Sequence, residues 1–448
     1  MAVTQARRRV AVVGSGISGL ATAWHLVDHA DVVLYEADGH FGGHARTVDL
    51  TLDGVSHGVD TGFLVFNPAT YPQLVKLFTD LHVDTAASDM SFSVQVPRAD
   101  GSSGLEWSGS NLDAVFAQRS NLLKPRFLRM LRDLVRFNRV ATLIAEHNEE
   151  GALQQPIGEF LVEQGFSDAF RDWYLLPMLG CIWSCPTDQM LRFPVAMMIR
   201  FCHNHGPIRL SDRPQWHTVR GGSRHYVQRM LAHITDARLN TPVRAVRRVP
   251  PASASAGVWL TTDHGSEHFD DVVLAGHSDQ SLALLGSQAS AEKTAVLGAI
   301  RYHRNRALLH TDASVLPKRS KAWAAWNYVR SPAAAQEQSA VCLHYLINRL
   351  QPLPWQQPVV VSLNPSREPA AHLVHGEYDY AHPVFDLAAM AAQARLPDIQ
   401  GRSRIWFAGA WTGYGFHEDG LRSGIAVADA LRARWAAETL AAPLRSAA

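Results

Sequence analysis

The apolar pattern of the first 36 residues predicts a strand, a helix and a second strand. Residues 10–13 form a continuous apolar run, which is typical of a strand that is buried on both faces. An apolar helical stretch extends to Leu26, and residues 32–35 form a second apolar run that ends at Glu36. This order predicts a βαβ unit. Residues 272–276 predict another buried strand, which ends in small residues.

Residues 127–140 have the period of an amphipathic helix with a strongly basic face. Leu128, Leu131 and Val135 recur at helical spacing on one face, and four arginines, from Arg129 to Arg139, recur on another. Residues 111–140 contain seven basic and two acidic residues, which leaves a local charge of +5 (7 − 2). Such a helix commonly forms the solvated face of a domain. Alternatively, it binds an anionic membrane surface, where each cation contributes about 1 kcal/mol.

Composition and charge are those of a globular protein and exclude several classes. The 448 residues suggest two or three folding units, and a net charge of +1 argues against a nucleic-acid partner. Four cysteines are too few for a disulfide scaffold and suit a reducing compartment. No apolar run approaches the roughly 20 residues that span a bilayer, and the N-terminal residues lack a signal-peptide pattern. We therefore expect a cytoplasmic protein that is at most peripheral on the inner face of the membrane.

A glycine-rich turn joins the first predicted strand to the helix. Gly14, Gly16 and Gly19 have the spacing that lets the pyrophosphate of a dinucleotide approach the backbone at a helix N-terminus. Gly14 permits the turn, Gly16 leaves room for the phosphates, and Gly19 allows close packing of the helix on the strand. Glu36 ends the second strand, where a carboxylate accepts hydrogen bonds from an adenosine ribose. The sequence therefore predicts a dinucleotide cofactor.

Both NAD and FAD bind to βαβ units of this kind, so the segment after Glu36 has to distinguish between the two cofactors. Gly42 and Gly43 follow Glu36 closely, and Arg46 supplies a guanidinium fork that suits phosphate oxygens. Another glycine-bearing turn lies at residues 58–63. The sequence has no further phosphate-binding glycine loop, so we expect no separate NAD(P)H domain.

These segments resemble the superfamily of flavin amine oxidases, protoporphyrinogen oxidases and phytoene desaturases. The resemblance covers the first glycine loop, the Gly-Gly-x-x-Arg-Thr segment and the Asp-x-Gly turn, and it resumes at residues 239–243, 405–411 and 418–424. It implies a noncovalently bound FAD. The contacts that it implies come from Gly14, Ser15, Gly16, Ile17, Ser18, Gly19, Glu36, Ala37, Gly42, Gly43, His44, Ala45, Arg46, Thr61, Gly62, Phe63, Val243, Gly409, Ala410, Gly420, Leu421 and Ser423.

The resemblance also implies roles for the later segments. In the family, the backbone at the position of Val243 meets the adenine, and the two C-terminal segments reach the ribityl chain and the pyrimidine edge of the flavin. Ala410 is a departure, because the family often has an acid there. We therefore expect a ribityl contact from another residue.

The fold implied by the resemblance is α/β (α+β), with a substrate domain inserted into a Rossmann-like FAD-binding domain. The FAD-binding domain would comprise residues 1–75, 215–280 and 400–440. The substrate domain, a sheet with flanking helices, would comprise residues 76–214 and 281–399. Residues 250–255 and 331–335 are predicted loops, and 441–448 is a predicted loose tail.

A narrower likeness concerns residues 60–67, 213–216 and 413–420. They resemble a bacterial subgroup of predicted NAD/FAD-binding proteins that is associated with cyclopropane and methyl fatty-acid synthases. This resemblance implies a lipid acyl chain or another apolar small molecule as substrate, and a lipid methyltransferase as a candidate partner.

Polar side chains beside the expected flavin edge are the candidates for acid–base chemistry. Tyr414, His417 and Glu418 can orient a substrate or move a proton, and Asp419 lies next to them. Alternatively, they only brace the loop, because hydride transfer to a flavin needs no strong base.

Two pairs of cysteines and histidines do not have the spacing of a metal site. Cys181 and Cys185 are four residues apart, and His203 and His205 flank Asn204. Zinc sites use tighter or paired ligand motifs, so core packing and hydrogen bonding are favoured and no metal is expected.

The leading functional interpretation is an FAD-dependent oxidoreductase that dehydrogenates a lipid-like substrate by hydride transfer to flavin N5. Oxygen or a quinone-like acceptor would reoxidise the flavin. Three alternatives remain open. They are a redox-neutral acyl double-bond isomerase, an amine oxidase, and a non-catalytic flavin-bound accessory to a methyltransferase.

Overall fold

A computed structural model describes most of the chain. The described residues are 7–98, 104–147, 155–205, 214–248, 257–330 and 341–441. The predicted loops at 250–255 and 331–335, Arg213 and residues 442–448 of the predicted tail lie outside the described residues. Position 441 is the last residue of a helix.

The predicted βαβ unit lies within a five-stranded parallel sheet. With strands numbered in chain order, the spatial order is Ile405–Phe407 (β19), Asp271–Leu274 (β13), Arg8–Val13 (β1), Ala30–Tyr35 (β2) and Asp236–Arg238 (β9). The strands predicted at 10–13, 32–35 and 272–276 are confirmed, the last with a shifted boundary. All five strands fall inside the segments predicted to bind FAD, whose boundaries stay a prediction.

A second, larger sheet is mostly antiparallel. Its seven strands, in spatial order, are Val374–Val384 (β18), Arg301–His310 (β14), Val360–Leu363 (β17), Cys342–Leu346 (β16), Trp326–Val329 (β15), Phe92–Val96 (β6) and Leu105–Ser108 (β7). Three smaller sheets complete the described strands. They are Val243–Arg248 (β10) with Val258–Thr262 (β11) and Gly265–Phe269 (β12), Thr47–Leu52 (β3) with Val55–Asp60 (β4), and Thr85–Ser88 (β5) with Trp216–Val219 (β8).

Helices cover both sheets, so the fold is the α/β (α+β) arrangement predicted. In chain order, helices α1 to α15 are Ile17–Leu26, Pro72–Asp80, Leu112–Val115, Pro125–Glu146, Ile157–Glu163, Asp168–Phe170, Leu176–Trp183, Thr187–Met190, Val195–His205, Arg224–Leu231, Ser278–Leu285, Ala291–Leu297, Ile347–Leu350, Leu387–Ala394 and His417–Ala441. Helices α4 to α9 pack against the seven-stranded sheet and share its apolar core. In the described part of the chain, no helix is both long and apolar enough to cross a membrane.

Two helices cross closely enough to bring distant parts of the chain together. Helix α15 packs on α1, and a Cβ placed on Gly424 would lie 2.3 Å from the carbonyl oxygen of Ser18. Only a glycine allows this approach. It places the start of α15 beside the start of α1.

The predicted amphipathic helix is confirmed as α4, but its buried face differs from the predicted apolar stripe. Phe127, Met130 and Phe137 point into the core, whereas Leu128 and Val135 are 43% and 54% exposed. Both sets of residues have helical spacing. The larger aromatic side chains remove more apolar surface from water, so their stripe is the buried one.

A directed chain of hydrogen bonds crosses the interior of the seven-stranded sheet. The backbone N–H of Asp312 donates to Nδ1 of His310 (3.1 Å), whose Nε2–H therefore donates to Ser362 Oγ (2.6 Å). Ser362 in turn donates to Nδ1 of His344 (2.6 Å), and His344 Nε2 lies 3.6 Å from Cys342 Sγ. Burial lowers the pKa of His310 to about 4 and that of His344 to about 3. Both imidazoles are therefore neutral near pH 7.

Candidate cofactor and active site

The glycine loop between β1 and α1 forms an open cradle. Gly14 has a φ of +101°, which favours glycine, and Gly16 precedes a helix whose first turn has no side-chain cap. A Cβ placed on Gly16 would meet no atom within 4 Å. Uncapped backbone N–H groups at a helix N-terminus, with space in front of them, fit a pyrophosphate.

The adenosine side of the site lies at the carboxyl end of β2. The carboxylate of Glu36 accepts hydrogen bonds from the backbone N–H of Ser15 and of Asp38, both at 2.9 Å. The carbonyl of Glu36 accepts from Thr241 N (2.8 Å), which places the turn before Val243 beside it. Ala37 is exposed next to Glu36. The structure thus brings the predicted ribose and adenine positions together.

Backbone contacts join the second glycine segment to the first. The N–H of Gly42 donates to both the carbonyl and the hydroxyl oxygen of Ser15, at 3.1 Å each. A Cβ on Gly43 would lie 3.1 Å from Cα of Gly16. Ala45 is buried behind this contact. The two glycine segments therefore form one continuous surface.

The Asp-x-Gly turn packs against the second glycine segment through backbone hydrogen bonds. Phe63 N donates to the carbonyl of His44 (2.7 Å), and Thr61 N donates to that of Arg46 (3.0 Å). A Cβ on Gly62 would lie 2.2 Å from the carbonyl oxygen of His44, so the close approach requires glycine. The guanidinium of Arg46 stacks 4.5 Å over the ring of Tyr378, and it forms no ion pair within the described residues. Its charge is therefore free for a phosphate.

One buried carboxylate holds these segments in place. Asp60 accepts hydrogen bonds from Thr47 Oγ1 (2.5 Å), from Ser223 N and Oγ (2.9 and 2.8 Å), and from Gln351 Nε2 (2.8 Å). Burial raises the pKa of Asp60 to about 6 despite these donors. The sequence pattern predicted the glycine-bearing turn that contains Asp60, but it did not predict the hydrogen-bond donors of its carboxylate.

The C-terminal segment reaches the same place through α15. Ser423 Oγ accepts from Gly409 N (2.9 Å) and donates to the carbonyl of Gly420 (2.8 Å). A Cβ on Gly420 would lie 2.8 Å from Cγ2 of Ile17 at the start of α1. Leu421 is buried, and the carbonyl of Ala410 accepts from the backbone of the loop that precedes α15. The C-terminal segment therefore lies beside the first glycine loop.

Of the predicted acid–base candidates, His417 faces the site most directly. Its ring stacks on Phe63 with centroids 3.9 Å apart, and its Nε2 lies 2.6 Å from the hydroxyl of Tyr226. Burial and repulsion from His44 lower the pKa of His417 to about 3, and burial raises that of Tyr226. A neutral imidazole that accepts from Tyr226 at Nε2 carries its proton on Nδ1.

The two carboxylates beside His417 have structural partners. Glu418 accepts from the backbone N–H of Gln73 and of Leu74, both at 3.0 Å, and so caps α2. Asp419 accepts from the backbone N–H of Tyr414 and of Phe416, which fixes the loop before α15. Burial raises the pKa of Glu418, and it raises that of Asp419 to about 6.

A cluster of imidazole and phenol rings was not expected from the sequence, apart from His44. The ring of His44 lies 5.1 Å from Tyr380, 5.5 Å from His382 and 6.3 Å from His277, which stacks on Tyr302 at 4.3 Å. Burial lowers the pKa of His44 and of His277 to about 4, and that of His382 to about 3. All three histidines are half-buried rather than fully buried.

Aromatic rings from α7 and α9 lie on the other side of the loop before α15. Phe201 stacks on Phe416 at 4.8 Å and lies 4.7 Å from Trp183, whose Nε1–H donates to the carbonyl of Tyr414 (3.3 Å). Trp411 is packed in the core beneath the cofactor sheet.

The cysteines are buried, and they lie away from the flavin segments. Cys181 and Cys185 belong to the large apolar core, as do Cys202 and its helix α9. Burial raises the pKa of Cys202 to about 12. Within the described residues, no group of three or more His, Cys, Asp or Glu side chains is arranged to hold a metal ion.

The sequence matches a known protein family. The family model described as flavin-containing amine oxidoreductase matches residues 17–303, which is more than half of the chain. Among proteins of curated function, none matches the sequence.

Solved structures with the same fold have diverse activities. A CLA-producing fatty acid isomerase from P. acnes has 16% sequence identity and a TM-score of 0.64, with 94% of this chain and 98% of that chain covered. A putative protoporphyrinogen oxidase from Exiguobacterium sp. 255-15 has 16% identity and a TM-score of 0.64, covering 95% and 99%. Cyclohexylamine oxidase from Brevibacterium oxydans IH-35A has 16% identity and a TM-score of 0.67, covering 96% and 99%. Such identities show a shared fold.

The match to the family model covers the helix of the first glycine loop and the second glycine segment, and the open cradle at Gly16 fits the pyrophosphate of FAD. The chain therefore belongs to the family of flavin-containing amine oxidoreductases and is an FAD-dependent oxidoreductase.

Proposed function

We propose that this protein oxidises a lipid or fatty-acyl chain, with a hydride passing from a substrate carbon to N5 of FAD. The observation that carries the proposal is the chemistry around the start of α15. The side chains that face the space there are aromatic rings and neutral imidazoles, and both neighbouring carboxylates are already engaged by backbone N–H groups.

Among the described residues, both carboxylates beside His417 already accept hydrogen bonds from backbone N–H groups, which favours an uncharged substrate over an amine. Glu418 uses both oxygens to cap α2, and Asp419 holds the loop through Tyr414 and Phe416. A buried ammonium group requires an opposite charge or several acceptors to offset its desolvation. An acyl chain requires only apolar surface, and the half-buried Phe416, which stacks on the buried Phe201, is positioned to provide it.

The chain's own groups would orient the substrate and exclude water. Bound FAD supplies the hydride acceptor. If the Tyr226 hydroxyl donates to Nε2 of His417, the neutral imidazole presents an Nδ1–H. The neutral His44 offers a weak acceptor position for the proton that leaves the second carbon, directly or through water. His382 does not, because its Nδ1 already accepts a hydrogen bond from Nδ2 of Asn305 (2.8 Å).

A second candidate is a redox-neutral isomerase that returns the hydride to another carbon of the acyl chain. The shared fold with a fatty acid isomerase favours it, since the same apolar space and the same neutral imidazoles would serve. The association with a lipid methyltransferase stays a prediction.

The test is anaerobic mixing of the FAD-loaded protein with vesicles of phosphatidylglycerol, free unsaturated fatty acid, or an alkylamine. Oxidation predicts that the lipid bleaches the flavin, that oxygen or a quinone restores it, and that the product has lost two hydrogens. Turnover without an acceptor and without a change in mass would identify the isomerase instead. Bleaching by the amine alone would refute both lipid reactions, and neither bleaching nor an isomerised product with any lipid would leave the accessory role.

A matched pair of variants tests where the lipid binds. Phe416→Leu removes one ring of the aromatic cluster and should raise the lipid concentration needed for half-maximal bleaching. Phe269→Leu changes a ring buried in the core beneath the cofactor sheet and should leave that concentration unchanged. Equal values for the two variants would contradict the assignment of the lipid to this cluster.

A further inference from the structure

Exposed apolar side chains are concentrated in one stretch of the chain. Seven of the eleven large apolar side chains that are exposed in the described residues lie between positions 112 and 162. They are Leu112, Leu122, Leu123, Leu128, Val135, Leu143 and Val162. Leu123, directly before α4, is 86% exposed. Single exposed leucines are ordinary, but such a concentration marks an interaction surface.

Part of this surface is a single stripe along α4. Leu128, Arg132, Val135, Arg139 and Leu143 follow one another at intervals of three or four residues, so they share one face of the helix. All five are exposed. We call this stripe the α4 face; it runs from Leu128 to Leu143, about 22 Å along the helix at 1.5 Å per residue.

The charges on the α4 face are unpaired. Arg132 and Arg139, and Arg129 beside the face, are exposed, and none of them forms an ion pair within the described residues. Of the acids nearby in sequence, Glu146 is exposed at the last turn of α4, whereas two others already have partners. Asp113 pairs with Arg119 and with Lys321, and Asp133 is buried and accepts from Ser167 N.

We propose that the α4 face docks the protein on an anionic lipid surface. The leucines and the valine would enter the interface between headgroups and acyl chains, and the arginines would reach lipid phosphates through their long apolar stems. A second copy of the chain would place this basic stripe against itself, with like charges opposed. An uncharged protein groove would leave the arginines without partners.

The position of α4 relative to the active site supports a membrane as the occupant. The inner face of α4 packs on α9, and α9 carries Phe201, which stacks on Phe416 beside the start of α15. A bilayer on the outer face would therefore lie one helix layer from the aromatic cluster. The proposal does not require a lipid substrate, since binding is measured without turnover.

The test is sedimentation of the full-length, FAD-loaded protein with vesicles. One set contains phosphatidylcholine with phosphatidylglycerol, and the other contains phosphatidylcholine alone. We expect binding to the anionic vesicles that weakens with salt, and little binding to the neutral ones. Each cation near the surface contributes about fivefold, so Arg132→Gln/Arg139→Gln should weaken binding about thirtyfold. Leu128→Asn/Val135→Asn should weaken it by at least tenfold.

Matched controls keep the test specific to the α4 face. Arg247→Gln/Arg248→Gln makes the same change in charge on β10, and Val55→Asn/Leu387→Asn removes side chains of similar exposure (46% and 43%) elsewhere. Both should bind like the unmodified protein, and the visible spectrum reports whether each variant retains its flavin. Absence of binding to anionic vesicles, equal losses in the controls, or a dimer that the α4 variants dissociate would overturn the proposal.

Discussion

Replacing Gly16 with alanine should change the affinity for FAD without lowering the stability of the flavin-free protein. The residue has a φ of −59° and a ψ of 173°, a conformation that alanine adopts freely. The added methyl group would meet no protein atom within 4 Å. It would occupy the space in front of the uncapped N-terminus of α1, where a pyrophosphate would lie.

The two expected effects have opposite signs. Without FAD, Gly16→Ala should leave stability unchanged or raise it by about 0.4–1 kcal/mol, because alanine restricts the unfolded chain. With FAD, the methyl group should cost at least one charge-assisted hydrogen bond to phosphate, roughly 1.5–3 kcal/mol. That loss corresponds to a Kd about ten- to a hundredfold higher.

Two measurements read these effects separately. Urea denaturation of the flavin-free protein gives the free energy of unfolding, and titration of the same protein with FAD gives the Kd. Gly158→Ala is a matched control, because Gly158 lies in helix α5, whose residues form no part of the cofactor site. A Cβ at this position would meet atoms of Leu191 only at 3.4 Å or more. It should change stability without changing the Kd.

One result would refute the placement of the pyrophosphate. If Gly16→Ala binds FAD as tightly as the unmodified protein, the space at Gly16 is not used by the cofactor. Lower stability of the flavin-free variant would show that the loop has less room than the structure indicates.

Three further predictions follow from contacts described above. Gly424→Ala should lower the free energy of unfolding by about 1–3 kcal/mol, because the clash of α15 with α1 outweighs the gain in helix propensity; a more stable variant in urea would contradict this. Ser362→Ala should destabilise by about 1–3 kcal/mol by leaving buried imidazole nitrogens without partners, measured the same way. Burial lowers the pKa of His310 and of His344, so their contribution to stability is present above pH 6.5 and lost as the pH falls toward 4, at about 1.4 kcal/mol per pH unit for each. Denaturation at pH 7, 6 and 5 should show a slope to which the other buried histidines also contribute, so His310→Gln/His344→Gln should reduce this slope without abolishing it. A slope that the double variant leaves unchanged would refute this cause.

The parts of the fold that sequence predicted are those fixed by short-range patterns. The βαβ unit follows from two apolar runs and three glycines within 36 residues, each needed for a local reason, and the structure confirms it. The later flavin segments were found only because they resemble a family. Their meeting at the start of α1 depends on the crossing of α15, which no local pattern encodes.

The residues that sequence missed are joined over long separations. Tyr226 and His417 are 191 residues apart in the chain. The ring of His44 lies near those of Tyr380 and His382, which belong to β18, an edge strand of the seven-stranded sheet. Neither pairing has a characteristic spacing. Periodicity also failed to decide which of two apolar stripes on α4 is buried, because that depends on the volume available beneath the helix.

The carboxylate of Asp60 has a consequence for the order of folding. One of its hydrogen-bond donors, Thr47, lies 13 residues before it in the chain. The other two, Ser223 and Gln351, lie 163 and 291 residues after it. A nascent chain therefore carries this group without its full set of partners until the ribosome has made most of the protein. Contacts this distant in sequence form late and slowly, so folding of the cofactor site should wait for synthesis of the C-terminal third.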